Sequence, residues 1–285
     1  MDSKEKLNLL VSQLSGIRKL SSNQLQPIIA CLDGFGDLAD SDPMIADACL
    51  SSIKEFLLKP SPILSKLHRL SNSDKGVCAS SNQTENSGDG SALISCKKTK
   101  DLRALAAKSL EDLRLTAIRN MSRCLRAALQ NDNNCVKALI ASMSNRLYQA
   151  EKSETELSLI SVNIIITLGH IAAALSDVSK TMESILQFFQ QRFCRPPSPI
   201  DSIIVEQLGK MLLVPRRDHV IFEEIMRMLT TITLESSSAY SMRAKTDQQN
   251  QGYRHVSLAV INILTLVAAN LTDKLDQEEF LVKIL

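Results

Sequence analysis

The chain has 285 residues, and its 33 basic against 31 acidic side chains leave a formal charge of +2, too small for a nucleic-acid binder that acts through its whole surface. Hydrophobic residues make up 44% but aromatics only 4%, with no Trp, so the core must be packed from aliphatic side chains; this disfavours a sandwich or barrel and fits stacked helices. The seven cysteines form no C-x-x-C pair and have no His at ligand spacing, which excludes a disulfide framework and a zinc knuckle and fits a reducing compartment.

In chain order, apolar periodicity predicts helices over residues 4–20, 25–38, 43–58, 62–70, 101–130, 134–149, 154–175, 177–192, 199–213, 218–233, 252–271 and 277–285. Asp42-Pro43, Ser61-Pro62 and Ser198-Pro199 each place a capping side chain ahead of a proline, whose missing N–H costs nothing at a first helical position. Ser153-Glu-Thr-Glu156 has the spacing of a capping box. The amino terminus, Met1-Asp-Ser-Lys-Glu-Lys, lacks the apolar region of a secretory signal, and the chain reads as cytosolic. Residues 71–99 are rich in Ser, Asn, Gly and Asp and read as a disordered insertion; 236–251 read as a second polar loop.

These helices, joined by turns with no alternating strand pattern between them, imply an all-α fold: an alpha solenoid of antiparallel helix pairs, HEAT-like or armadillo-like, with a rough period of about 40 residues. The expected division is residues 1–70, the insertion 71–99, and a second helical stretch 100–285. Its last residues, Phe280-Leu-Val-Lys-Ile-Leu, have no polar cap and read as a helix cut part-way through an array.

Two stretches invite a membrane reading. Residues 157–175 hold no charged side chain, but Ser158, Ser161, Asn163, Thr167, Gly169 and His170 dilute them, which fits a solenoid helix buried on two sides; 256–271 read the same way. Gly34-Phe-Gly-Asp-Leu-Ala39 formally fits a dinucleotide fingerprint. Pro43 would break the helix that should receive the pyrophosphate, so a helix-end glycine turn is expected instead.

The chain carries no G-x-S-x-G, P-loop, H-E-x-x-H or kinase glycine-rich loop, and His68, His170, His219 and His255 lie far apart. No catalytic, cofactor-binding or metal-ligating residue is therefore assigned. Asp218, in Arg217-Asp-His219, reads as a helix cap. The one local charge anomaly lies between Lys97 and Arg146, where eleven basic residues face four acidic ones. On a helical wheel Lys108, Arg119, Arg123 and Arg126 share one side, opposite Leu110, Leu113, Ala117, Met121 and Ala128, which makes them candidates for contact with an anionic surface or an acidic partner.

Four strings, Ser144-Asn-Arg-Leu-Tyr148, Leu168-Gly-His-Ile-Ala-Ala-Ala-Leu175, Met182 through Pro199 and Gly252-Tyr-Arg-His-Val-Ser-Leu-Ala-Val-Ile-Asn262, resemble the type III alpha phosphatidylinositol 4-kinases. The resemblance runs from about Leu25 onward and is clearest after Asp101. It implies a piece of that family's amino-terminal helical solenoid, without the kinase domain. For the whole protein it implies ATP-dependent phosphorylation of phosphatidylinositol at the 4-position, with ATP and Mg²⁺ held by the absent domain. It also implies a cytoplasmic protein recruited to the plasma membrane as a peripheral enzyme, open to homodimerisation in full length, with scaffold subunits: a tetratricopeptide-repeat protein and a hyccin-like protein. No nucleic acid is implied. Two other readings fit the residues: a free-standing armadillo-like adaptor, and a peripheral membrane module using the basic helix 101–130.

Overall fold

A computed structural model describes residues 2–17, 25–59, 62–72, 91–132, 134–153, 158–214, 219–233, 240–270 and 278. Among the described residues all regular structure is helical. The chain divides into two compact units, Met1–Ala128 and Leu129–Leu285.

The first unit holds α1 (Ser3–Gly16), α2 (Leu25–Ser41), a 3-10 turn at Pro43–Ile45, α3 (Ala46–Leu58), α4 (Pro62–Asn72) and α5 (Ser91–Ala128). Asp2 caps α1 in a reciprocal box with Glu5, and Asp42 caps the 3-10 turn by accepting from the Met44 N–H at 3.2 Å, as the Asp-Pro pair predicts. α5 is the common partner: α2, α3 and α4 all pack along it, and Phe35, Ile53, Leu57, Leu64, Leu113 and Leu125 are buried between them. That explains why α5 groups with the helices before it, whereas the sequence suggested a break at 71–99. The insertion is also narrower than expected. Residues 71–72 close α4, 91–99 already have helical backbone in α5, and 73–90 lie outside the described residues.

The second unit holds α6 (Cys135–Ser153), α7 (Leu159–Ala174), α8 (Ser179–Phe193), α9 (Ile200–Leu212), α10 (His219–Thr233), a 3-10 turn at Ser241–Arg243 and α11 (Asp247–Asn270). Each helix packs on the next or the next but one: α6 on α7 and α8, α7 on α8 and α9, α8 on α9 and α10, and α9 and α10 on α11. Such nearest-neighbour pairing is how an alpha solenoid buries its apolar faces.

Local boundaries moved where a different side chain won the cap. Ser153 ends α6, residues 154–157 lie outside the described residues, and Ser158 caps α7 by accepting from the Ser161 N–H at 3.1 Å. Ser198 does not cap α9 with its hydroxyl; Asp201 reaches back and accepts from the Ser198 N–H at 2.9 Å. Ser61, Asp218 and the helix expected over 277–285 fall outside the described residues, apart from position 278.

α7 is buried nearly all round, including Asn163 and Thr167, as the charge-free stretch suggests. α11 is not. Long and apolar enough by length and composition alone to cross a membrane, it buries only 22% of its most apolar window, and Leu258, Ile261 and Leu266 are about half exposed or more. The expected two-sided burial is not seen among the described residues, where α11 packs chiefly on α9 and less on α10. Gly34 and Gly36 lie inside α2, not at its end. They serve close approach: a methyl on Gly34 would lie 2.9 Å from Leu10, and one on Gly36 would collide with Asn120 and Arg123 of α5.

Candidate functional site

The basic side of α5 is built by helical spacing, and α2 presents a matching acidic row at Asp33, Asp37 and Asp40. Arg119 donates to Asp33 at 2.7 Å, joined on the same oxygen by the Asn120 carboxamide at 2.7 Å. Arg123 donates to Asp37 at 2.7 Å through Nη2, to Asp40 at 2.9 Å through Nε, and to the Asn120 side-chain oxygen Oδ1 at 2.9 Å. Gly36 supplies the space in which this network sits. Burial by itself would raise the Asp33 carboxyl, but the bonds from Asn120 and Arg119 and the two guanidinium charges outweigh it and hold the group below the usual carboxylate range. For Arg123 the order is the same: burial opposes the charge, and Asp37 and Asp40 more than restore it.

The four residues singled out from the sequence thus separate. Arg119 and Arg123 tie α5 to α2; Arg119, Lys108 and Arg126 are all exposed, and Arg123 is half-buried. The acidic row is a stripe at i, i+4 and i+7 in the sequence, but its pairing with the basic stripe of α5 was not legible there, because the two lie more than eighty residues apart.

A second polar cluster lies in the other unit, where the segment Arg195–Pro199 joins α8 to α9. Asp201 is fully buried, faces Arg192 (7% exposed) at 3.4 Å, and accepts from the Tyr240 hydroxyl at 2.7 Å. Burial and the Asp201 carboxylate push the Tyr240 phenol far above its ordinary range. Tyr240 stacks edge-on against Phe193, and Arg243 donates to the Phe193 carbonyl at 3.0 Å. Gly252, in the second turn of α11, comes within 3.3 Å, for an added methyl, of the Ser198 backbone. Arg195 lies over the Tyr148 ring at 5.8 Å. Three of the four resemblance strings, those containing Tyr148, Arg192–Pro199 and Gly252, therefore meet here. The fourth contributes Gly169, against Gln207, and His170, 3.4 Å from Lys210. Sequence reasoning missed Tyr240 and Asp201 as a pair; a tyrosine in a polar loop gives no sign of being buried.

The open surface offers a groove on α10 of about 370 Å³, lined by Val220, Glu223, Glu224, Met226, Arg227 and Thr230, with Arg227 donating to Glu224 at 3.0 Å. Among the described residues no three His, Cys, Asp or Glu side chains group as metal ligands. The glycine pair of α2 does not fit a nucleotide phosphate, since backbone N–H groups within a helix are already engaged in its own ladder.

Residues 45–285 match the protein family described as the PI4-kinase N-terminal region.

Proposed function

Since the chain belongs to the PI4-kinase N-terminal region family, we propose that it is a non-catalytic helical scaffold segment of a phosphatidylinositol 4-kinase, supplying docking surface to the enzyme. The observation that supports this reading is the successive pairing of α6 through α11, each helix held by its neighbours, which is the packing by which solenoids build extended docking surfaces. On this reading the whole protein phosphorylates phosphatidylinositol to phosphatidylinositol 4-phosphate with ATP and Mg²⁺ at the plasma membrane. The chemistry resides in a kinase domain outside these residues. The docking partners are scaffold subunits of the tetratricopeptide-repeat and hyccin-like kinds, and the full enzyme is a cytoplasmic protein recruited to the membrane, with a second copy of itself as a further partner.

Two measurements test it. The chain incubated with ATP, Mg²⁺ and phosphatidylinositol vesicles is expected to give no product above a heat-killed control; turnover would overturn the non-catalytic reading. In size-exclusion chromatography with the purified scaffold subunits the chain is expected to co-elute. Separate elution at micromolar concentration would overturn the docking reading.

A further inference from the structure

Two cysteines meet where α3 packs on α5: Cys49 and Cys124, neither with any solvent exposure. The Cys124 thiol hydrogen-bonds to Cys49, and its S–H is shared with the Phe35 carbonyl of α2, with 3.7 Å between sulfur and oxygen. The two sulfurs are therefore held side by side in the core of the first unit. Other thiols are engaged elsewhere: Cys31 donates to the Gln13 side chain and Cys194 to the Gln190 carbonyl, each at 3.7 Å. Accepting from Cys124 lowers the pKa of the Cys49 thiol, whereas the same bond and burial raise that of Cys124. Cys49 is thus the member of the pair that ionises first, and the thiolate is the form that reacts with an oxidant.

We propose that Cys49 and Cys124 are an oxidation site, in which hydrogen peroxide converts the pair to a disulfide that locks α3 to α5. The Cys49 thiolate attacks one peroxide oxygen, the O–O bond breaks, and the departing hydroxide takes up the proton that Cys49 released and leaves as water. The Cys124 sulfur then attacks the sulfenic sulfur, the S–O bond breaks, and the hydroxyl leaves with the Cys124 proton as a second water. Two thiols lose two electrons, and one peroxide is reduced to two waters. Burial makes the first step slow, since peroxide, small and uncharged, must enter the core. The second step is fast, because the resolving thiol already lies against the reacting sulfur. Burial also keeps bulky thiols such as glutathione from the disulfide while the unit is folded, so the oxidised state persists. The link from position 49 to position 124 closes a long loop of chain, which restricts the unfolded state and raises the stability of the unit. Nothing in this depends on the scaffold reading.

The test treats the full 285-residue chain with hydrogen peroxide, blocks the remaining thiols in denaturant and maps disulfides by mass spectrometry. The linked Cys49–Cys124 peptide is expected to accumulate, about tenfold or more above any link to Cys31, Cys135 or Cys194. Glutathione is expected to reduce it in denaturant and to leave it intact in the folded chain. Melts followed by helical circular dichroism should show a midpoint raised by several degrees in the oxidised chain. Cys49→Ala should abolish both the link and the shift and leave Cys124 a thiol. Its circular dichroism before oxidation checks the fold, and the mapping of the unsubstituted chain stands whether or not that variant folds. Absence of the Cys49–Cys124 link, a link that forms only in denaturant, or links scattered among the cysteines would each overturn the site. An unchanged or lower midpoint would overturn the lock.

Discussion

Gly169 of α7 lies beneath Gln207 of α9 so closely that a methyl on it would sit 2.5 Å from the Gln207 Cβ. Both positions are buried, so the two helices approach at the distance a bare backbone permits. Gly169→Ala is expected to lower stability by roughly 1–3 kcal/mol through overpacking. Chemical denaturation measures it, and Gln207→Ala in the same chain should recover part of the loss, because the two changes share one contact.

Tyr240 donates to a carboxylate that solvent does not reach, so its hydroxyl contributes beyond the packing of its ring. Tyr240→Phe is expected to cost about 1–3 kcal/mol by leaving a buried acceptor short of a donor. Asp201→Ala should cost more, about 3–5 kcal/mol, because it leaves the Arg192 guanidinium buried without its partner. Equal effects for the two variants in urea melts would show that Asp201 and Arg192 do not act as a pair.

The α2–α5 network gives the first unit a dependence on acid. Asp33 has its carboxyl pKa lowered by Asn120 and Arg119, so its contribution is present above the unfolded value near ~4 and is lost as pH falls through the lower folded value. The pair is partly exposed, and the effect should be modest and reduced by salt. Urea midpoints followed from about pH 6 to about pH 3 should drop at the acid end, and Asp33→Asn should flatten that drop.

Thiol reactivity should follow burial. Among Cys31, Cys49, Cys124, Cys135 and Cys194, only Cys194 is exposed. The bond to Cys49 and burial push the Cys124 thiol up, away from the reactive thiolate, and burial does the same for Cys31. Brief alkylation of the folded chain, read by mass spectrometry, should label Cys194 well ahead of the other four. Full labelling of all five is expected only in denaturant.

Most helices could be read from the sequence because one-sided apolar spacing reports a helix wherever it packs, and the Asp42-Pro43 and α7 expectations rest on that local logic. What sequence could not supply were contacts between distant segments. The glycines at 34 and 36 looked like a helix end, yet they sit mid-helix because α5 and α1 need the room. The basic side of α5 looked free because its acidic partners lie on α2, and the half-exposure of α11 depended on how many neighbours it has, which periodicity does not report. Caps were misplaced at Ser153 and Ser198 because Ser153 closes α6 and Ser158 caps the next helix instead, while at Ser198 the Asp201 carboxylate reaches back to the backbone.

The chain has three tyrosines, at 148, 240 and 253, and no tryptophan. All three belong to the unit Leu129–Leu285, and two of them stack within the cluster around Asp201. Intrinsic emission excited in the near ultraviolet is therefore a private signal of that half, dark to everything that happens in Met1–Ala128. Heating one sample while recording emission and backbone ellipticity together would separate the melting of the two halves without a label or a truncation.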